Sequence, residues 1–347
     1  MTSFRSAGKA GLDAVVFREL STAMNAEHHG PDGKFRIPWP VEGGGSFLRW
    51  QWERLTRGVP PNPPPGSFPV VPHAAAHPRA AEEEVRITWV GHATFLVQAA
   101  GLNLLTDPVW GRRASPLRWL GPARLAPPGI PFCELPPVDA VLLSHDHYDH
   151  LDEGTVRRLA ERCGPGLRWI TPLGYAGWLR ERGAARVTEL DWWDEAELDG
   201  GVRVVCAPSQ HWTRRGLREL NDRLWAAYAV TLPDGRRLFF GGDSGYFPGF
   251  AEIGRRLGPF AATLLPVGAY EPRWFMRRAH MNPEEAVRAY GDLGGRGAFV
   301  AMHWGTFRLT DEDPLEPPRR TREAWRASGL PARDLHILRH GETMRLA

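Results

Sequence analysis

Three histidines and two aspartates fall within residues 145–150, in the order His145-Asp146-His147-Tyr148-Asp149-His150. Residues two apart on an extended segment share a face, so His145 and His147 can grip one ion between them. Asp149 and His150 lie past a turn and can point at a second ion beside the first. Neutral imidazoles and a carboxylate suit zinc, with iron or manganese as weaker alternatives. A histidine-rich surface loop would carry the same residues, and Asp149 or Asp152 could simply cap a helix. A solvated loop, however, needs no apolar strand before it and no helix after it, and this stretch has both.

The run 138–143 is short and apolar and reads as a buried strand. Val156, Leu159, Ala160 and Cys163 then recur at helical spacing, with Gly164 placed to end the helix. The motif therefore sits on a strand-to-helix loop, where a rigid scaffold presents functional groups. Upstream, Val85–Val90, Thr94–Gln98 and Leu102–Leu105 read as a meander of strands. It turns at Ala100-Gly101 and ends at Thr106-Asp107-Pro108. Downstream, 225–232 and 236–240 form a second hairpin around Pro233-Asp234-Gly235, ending at Gly242-Asp243. Two hairpins that each end in Asp point to two similar halves, and so to two β-sheets flanked by helices.

Further helices are legible at 249–257, stopped by Gly258-Pro259, and from Pro283 to about Leu293. The second has Asn282 as N-cap and Glu284-Glu285 at the positive end of its dipole. Thr321–Ala327 reads as the last helix and Leu335–Leu338 as the last strand. Residues 1–84 differ in character and read as an N-terminal extension, partly wrapping the core and partly flexible. Within it, 4–26 carries a weak helical stripe, 47–55 a short helix with Trp50 and Trp52, and 59–72 a Pro-rich extended run. The main domain is expected over 85–347.

Lys and Arg together number 43 against 40 Asp and Glu, a net charge of +3, and Lys9 and Lys34 are the only lysines. With no dense basic block, nucleic acid is not the expected partner. Arginines could still meet anionic lipid headgroups. Cys133, Cys163 and Cys206 are too scattered for a disulfide framework or a Cys-x-x-Cys site. They fit a reducing compartment and mostly buried thiols. No apolar run reaches the roughly 18 residues of a membrane span, and no apolar stretch follows Arg5 and Lys9 as a secretory signal requires. A cytoplasmic protein, at most peripheral to the inner face of a membrane, is the expectation.

His145-x-His147-x-Asp149-His150 resembles the signature of the metallo-β-lactamase superfamily. The resemblance implies an α/β fold, a four-layer αββα sandwich, here with its N-terminal extension. It also implies a later His, an Asp and a last His at strand ends. Matching positions are His211 in Pro208-Ser209-Gln210-His211, Asp243 in Gly241-Gly242-Asp243, and His303 in Ala301-Met302-His303. Taken singly, His211 could be a polar strand end, Asp243 a turn residue and His303 a core histidine satisfied by one hydrogen bond. By resemblance, His145, His147 and His211 hold one metal, Asp149, His150 and His303 hold the other, and Asp243 bridges them.

The likeness narrows further. Trp89-Val90-Gly91-His92-Ala93-Thr94, Glu189-Leu190-Asp191-Trp192-Trp193, Gly268-Ala269-Tyr270-Glu271-Pro272-Arg273-Trp274-Phe275-Met276 and His303-Trp304-Gly305-Thr306-Phe307 resemble the N-acylphosphatidylethanolamine-hydrolysing phospholipase D family. That resemblance covers about residues 34–347. It implies a phosphodiesterase with two Zn2+ (Fe or Mn as alternatives) whose metal-bridging hydroxide attacks phosphorus, releasing phosphatidic acid and an N-acylethanolamine. It further implies a phospholipid substrate, peripheral membrane contact and a homodimer. Asp146 stands where the family pattern has Asn. Another hydrolase on the same scaffold, acting on a lactone or a soluble phosphodiester, is the alternative.

Asp149, Asp243 and His280 are then the candidate catalytic groups. His280 precedes a helix N-terminus, a place that receives phosphate, although a solvated loop His would look the same. Tyr148, Arg215, Trp274 and Phe275 are candidates for substrate contact, with ordinary packing as the alternative for the aromatics. His92 and Asp107 are expected to orient ligands or loops without binding metal themselves.

Overall fold

The computed structural model describes residues 27–39, 44–72, 78–117, 119–216 and 218–346. The helix expected over 4–26 lies outside the described residues.

The first strands follow from strict alternation. In β1 (Val85–Gly91) and β2 (Thr94–Ala99), Ile87, Trp89, Phe95 and Val97 face one apolar layer while Val90 and Leu96 face another. A strand's side chains alternate between its two faces, so a sheet buried on both sides reads as apolar throughout. β3 (Leu102–Thr106), β4 (Ala140–Leu142), β5 (Arg168–Pro172) and β6 (Arg186–Leu190) complete the first sheet. The second half supplies β7 (Glu195–Glu197), β8 (Arg203–Ala207), β9 (Ala227–Thr231), β10 (Arg237–Phe240), β11 (Ala262–Pro266), β12 (Ala298–Met302) and β13 (Leu335–His336). A last strand, β14 (Thr343–Leu346), returns to the first sheet and pairs antiparallel with β1.

The sheet orders are β14-β1-β2-β3-β4-β5-β6 and β13-β12-β11-β10-β9-β8-β7. Each sheet has an antiparallel trio, β1-β2-β3 or β8-β9-β10, whose last strand pairs in parallel with the next, β4 or β11. The two similar halves read from the sequence are therefore real, with Asp107 and Asp243 in equivalent places after β3 and β10. One apolar cluster lies between the sheets; Leu104, Leu142, Val230, Leu264 and Val300 contribute to it. A second joins the first sheet to the helices at Glu153–Cys163 and Ala176–Arg180, through Val156, Leu159 and Leu179. A third joins the second sheet to those at Gly249–Leu257, Pro283–Asp292 and Glu316–Ala327, through Phe250, Ile253, Val287 and Trp325. Three apolar layers between four strata make an α/β sandwich of the αββα kind.

Several expectations need correcting. The helix expected at Thr321 begins at Glu316, because Pro317 and Pro318 occupy its first turn, where a missing N–H costs nothing. Leu335–Leu338 shortens to two residues and is not the last strand. Cys133 is exposed, Cys163 half-buried and only Cys206 buried, so the thiols are not mostly buried.

In the extension, a helix at Phe47–Arg57 is capped by the Ser46 side chain. Trp50 docks it, with the indole Nε1 donating to Asp311 Oδ2 at 2.5 Å and the ring stacked 5.2 Å from Phe275. No helix among the described residues is long and apolar enough to cross a membrane.

Candidate metal centre

The site lies at one edge of the sandwich, where β3, β4, β8, β10 and β12 end and their loops converge. His145 and His147 follow β4, His211 follows β8, Asp243 follows β10 and His303 follows β12. Asp149 and His150 lie on the turn that leads into the Glu153–Cys163 helix, which is capped by Asp152.

Side-chain geometry settles which way the imidazoles face. Ser144 Oγ donates to Asp107 Oδ2 at 2.6 Å, so it accepts from His145 Nδ1, 2.9 Å away. His150 Nδ1 donates to the same carboxylate oxygen at 2.6 Å, and His211 Nδ1 donates to the Ala279 carbonyl at 2.9 Å. With the proton on Nδ1 in each case, the Nε2 lone pairs of His145, His150 and His211 all turn inward. His145 Nε2 and His211 Nε2 lie 2.9 and 3.2 Å from His147 Nδ1. His147 Nδ1 can bring at most one proton to these two lone pairs, and three imidazole nitrogens gathered this closely suit a cation as its donor set. His92, Asp149, His150 and His303 form an adjoining cluster of potential ligand atoms.

Asp243 stands between the two groups. Its Oδ2 lies 3.2 Å from His150 Nε2 and 3.8 Å from both His145 Nε2 and His211 Nε2, while Oδ1 lies 3.1 Å from His303 Nε2. Asp243 Oδ1, His150 Nε2 and both His303 nitrogens are buried without a hydrogen-bond partner. Buried polar atoms in folded proteins are mostly hydrogen-bonded, so four partnerless ligand atoms gathered at one point fit a ligand that is not protein.

The electrostatics agree. Burial opposes charge on Asp149 and Asp243, yet the neighbouring imidazoles, His150 foremost, hold both carboxyls well below the ordinary range. His150 is buried too, but Asp243, Asp149 and Asp107 push it well above its usual value, and His303 is pushed up to about 9 against its own burial. The field at these Nε2 atoms thus attracts positive charge, whether proton or metal. Burial instead lowers His211 to about 3 and His147 to about 4, keeping them neutral as ligands must be.

A family model described as a beta-lactamase superfamily domain matches residues 102–304. The chain belongs to the metallo-β-lactamase superfamily. It is 41% identical over 253 residues to an N-acyl-phosphatidylethanolamine-hydrolyzing phospholipase D 1 of Caenorhabditis elegans, covering 70% of each chain. It is 44% identical over 279 residues to an uncharacterized protein of Mycobacterium tuberculosis, covering 78% of this chain and 71% of that one. Among solved structures, an isothiocyanate hydrolase from Delia radicum gut bacteria superposes with a TM-score of 0.59 at 22% identity, over 75% of this chain and 98% of that one, a likeness of fold. The protein is thus a metal-dependent hydrolase of this superfamily.

In this superfamily member His92 lies against the centre, its Nε2 2.8 Å from Asp149 Oδ2 and its ring 3.9 Å from that of His303. Burial, then the charge of His303, lowers it to about 3, so it is neutral. Its Nδ1 has no partner, so Nε2 carries the proton and steadies Asp149. His280 also reaches the centre, with Nδ1 3.9 Å from Asp243 Oδ2 and its ring 5.1 Å from that of His211.

The other candidates each have contacts of their own. Arg215 spends its Nη1 on the carbonyls of Asp146 and Leu151, both 2.8 Å away, and lies 4.3 Å over the Tyr148 ring. The Tyr148 hydroxyl donates to the Arg215 carbonyl at 2.8 Å, so the two brace the motif loop. Both also line a cleft of about 810 Å³ with Arg112, Trp178 and Arg182. Trp274 and Phe275 pack on the extension's helix, with Arg49 4.2 Å over the Trp274 ring and Trp50 against Phe275. Sequence reasoning passed over Ser144 and the Ala279 carbonyl as tautomer-setting groups. A serine beside a ligand carries only a weak signal, and a backbone carbonyl carries none.

Proposed function

We propose that this chain is a dizinc phosphodiesterase of phospholipase D type, cleaving N-acylphosphatidylethanolamine or a related phospholipid to phosphatidic acid and an N-acylethanolamine. The observation that carries the metal assignment is the central position of the Asp243 carboxylate between two clusters of inward-facing imidazoles. His145 Nε2, His147 Nδ1 and His211 Nε2 would hold one ion. Asp149, His150 Nε2 and His303 Nε2 would hold the other, and the Asp243 carboxylate would be shared between the two. When bound, two such ions lower the pKa of water toward neutrality and neutralise charge developing on phosphoryl oxygens.

The substrate class rests on similarity to the named phospholipase and on what lies around the centre. His280 is held neutral, lowered to about 3 chiefly by burial, and retains a single N–H to donate to a phosphoryl oxygen. Trp212, 37% exposed with its ring 4.5 Å from that of His147, presents an apolar rim beside the ligands. Such a rim suits an acyl chain better than a free sugar phosphate.

The test is mass spectrometry of products after zinc-loaded protein meets N-acylphosphatidylethanolamine vesicles. Phosphatidic acid plus N-acylethanolamine is expected, and both should vanish on chelation and return with zinc. Folded, metal-loaded protein that turns over a lactone or a soluble phosphodiester but not the lipid would overturn the substrate and leave the metal centre standing.

A further inference from the structure

A second group of ligating side chains gathers away from this centre. His28 Nε2 lies 2.7 Å from Asp191 Oδ1 and His29 Nε2 lies 2.8 Å from Asp191 Oδ2. Potential ligand atoms of all three residues lie within 4.8 Å of one another. The His28 side chain is fully buried, its ring 4.2 Å from that of Trp192, while the His29 side chain is 41% exposed and opens the group to solvent.

The imidazoles do not owe their placement to the carboxylate alone. They sit on a tight hairpin in which Gly30 N donates to the Lys34 carbonyl at 2.7 Å and Arg36 N to the His28 carbonyl at 2.8 Å. The hairpin is tied to the body of the protein by Phe35 N on the Asn221 carbonyl at 2.8 Å and by Lys34 Nζ on the Leu220 carbonyl at 3.0 Å. Opposite, Asp191 is fixed through its own N–H, which donates to Asp194 Oδ2 at 3.0 Å. The three ligand groups are thus held together by backbone on both sides, as a preformed site requires.

We propose that His28, His29 and Asp191 form a second metal site, structural in role, that takes a zinc-class divalent cation with water completing the tetrahedron. Two imidazoles and one carboxylate suit zinc, whereas calcium and magnesium call for oxygen ligands throughout. The ion replaces the two Nε2–H bonds to Asp191, and each imidazole then carries its proton on Nδ1. Without the ion, Asp191 keeps the His28 proton on Nε2, because a carboxylate only accepts, and the His28 Nδ1 has no protein partner. The same fact leaves the transferred proton without an acceptor, so this site is the weaker one and empties first under chelation.

Its role follows from what it is wired to. Trp192 N donates to Asp191 Oδ1 at 2.8 Å, Trp192 Nε1 to the Trp225 carbonyl at 2.7 Å, and Trp225 Nε1 to the Ser209 carbonyl at 2.8 Å. Ser209 is two residues before His211. An ion here staples the N-terminal hairpin to the segment that carries a ligand of the main centre, so it acts on stability and leaves the chemistry alone.

The experiment is equilibrium dialysis of the full chain against buffered micromolar Zn2+, with metal per chain and melting temperature read for wild type, His29→Ala, Asp191→Asn and, as a control for the main centre, Asp243→Asn. His29 is exposed, so its removal leaves the fold intact. The expected result is one equivalent fewer in both His29→Ala and Asp191→Asn than in wild type, with a smaller zinc-dependent rise in melting temperature in both, because the second site's share of that rise is lost, whereas Asp243→Asn keeps that share. Wild-type metal content and an unchanged zinc response in His29→Ala overturn the proposal. So does a deficit confined to Asp191→Asn, which would place the effect in folding.

Discussion

At the scale of single residues, the centre is controlled one bond away from its ligating nitrogens. Asp107 accepts the Nδ1 proton of His150, the Ser144 hydroxyl and the Ser144 backbone N–H, all within 2.7 Å. It thereby fixes His150 directly and His145 through the serine. Asp107→Asn keeps the shape but offers one acceptor oxygen in place of two: turned to the His150 Nδ1–H and the serine hydroxyl, which share Oδ2, it sets its NH2 against the Ser144 backbone N–H, and reversed it sets its NH2 against the other two donors. Metal affinity should fall by about 10–100-fold, the usual effect of losing such a partner. The measurement is the zinc dissociation constant by competition with a chelating dye, and a wild-type constant would refute the role. His92, Asp107 and His303 all adopt left-handed backbone, with φ of 56, 31 and 63°. Strain of this kind, of order 1–3 kcal/mol per residue, gathers where function constrains the chain. The cluster at 145–150 was legible from sequence because its ligand types adjoin. That Ser144 sets a tautomer was not, since it depends on a hydrogen bond across 37 residues.

At the scale of elements, the strand ends must approach closely enough for side chains from separate loops to share an ion. Gly268, just past β11, shows how closely. A Cβ there would lie 2.0 Å from the His303 carbonyl oxygen, which sits on the loop after the neighbouring strand β12. Gly268→Ala therefore forces that loop away and carries His303 with it. Overpacking of this kind typically costs about 1–3 kcal/mol. The expected result is a lower melting temperature with a parallel loss of bound metal. Gly101→Ala, in a turn with nothing within 4 Å, meets only the backbone strain of φ +72° and should keep full metal content. If Gly268→Ala binds metal as wild type does, the close approach is dispensable. The strands that feed the site were legible because both their faces are buried and apolar. β6, with the burial of an edge strand along Arg186–Leu190, and the three-residue β7 offered no such pattern. β14, whose Arg345 pairs with Glu84 across the sheet edge, was invisible because nothing local predicts that the C-terminus returns to β1.

At the scale of the whole molecule, buried neutral histidines make the fold sensitive to acid, and His340 lets this be tested outside the metal centre. It is packed 4.3 Å from the Trp89 ring with its Nε2 2.9 Å from Thr306 Oγ1, on the return path that carries the chain into β14. Burial, and then the nearby charge of Arg124, lowers it to about 3 from an ordinary 6.5. In the unfolded chain it takes up a proton near pH 6.5, whereas in the folded chain it resists until about pH 3. Its contribution is therefore fully present above pH 6.5 and is lost as pH falls through that window. At 1.36 kcal/mol per unit the full loss is on the order of 5 kcal/mol at most. His340→Gln preserves a polar partner for Thr306 but does not titrate. The variant should be less stable than wild type at pH 8, because ring packing on Trp89 is lost, and the deficit should shrink as pH falls from 6.5 toward 4. Chemical denaturation across that range reads the difference directly, and because the acid-labile centre is common to both proteins it cancels. A deficit that stays constant with pH would mean that His340 titrates normally in the folded state, and that the junction between β1, β14 and the loop after β12 is open to water.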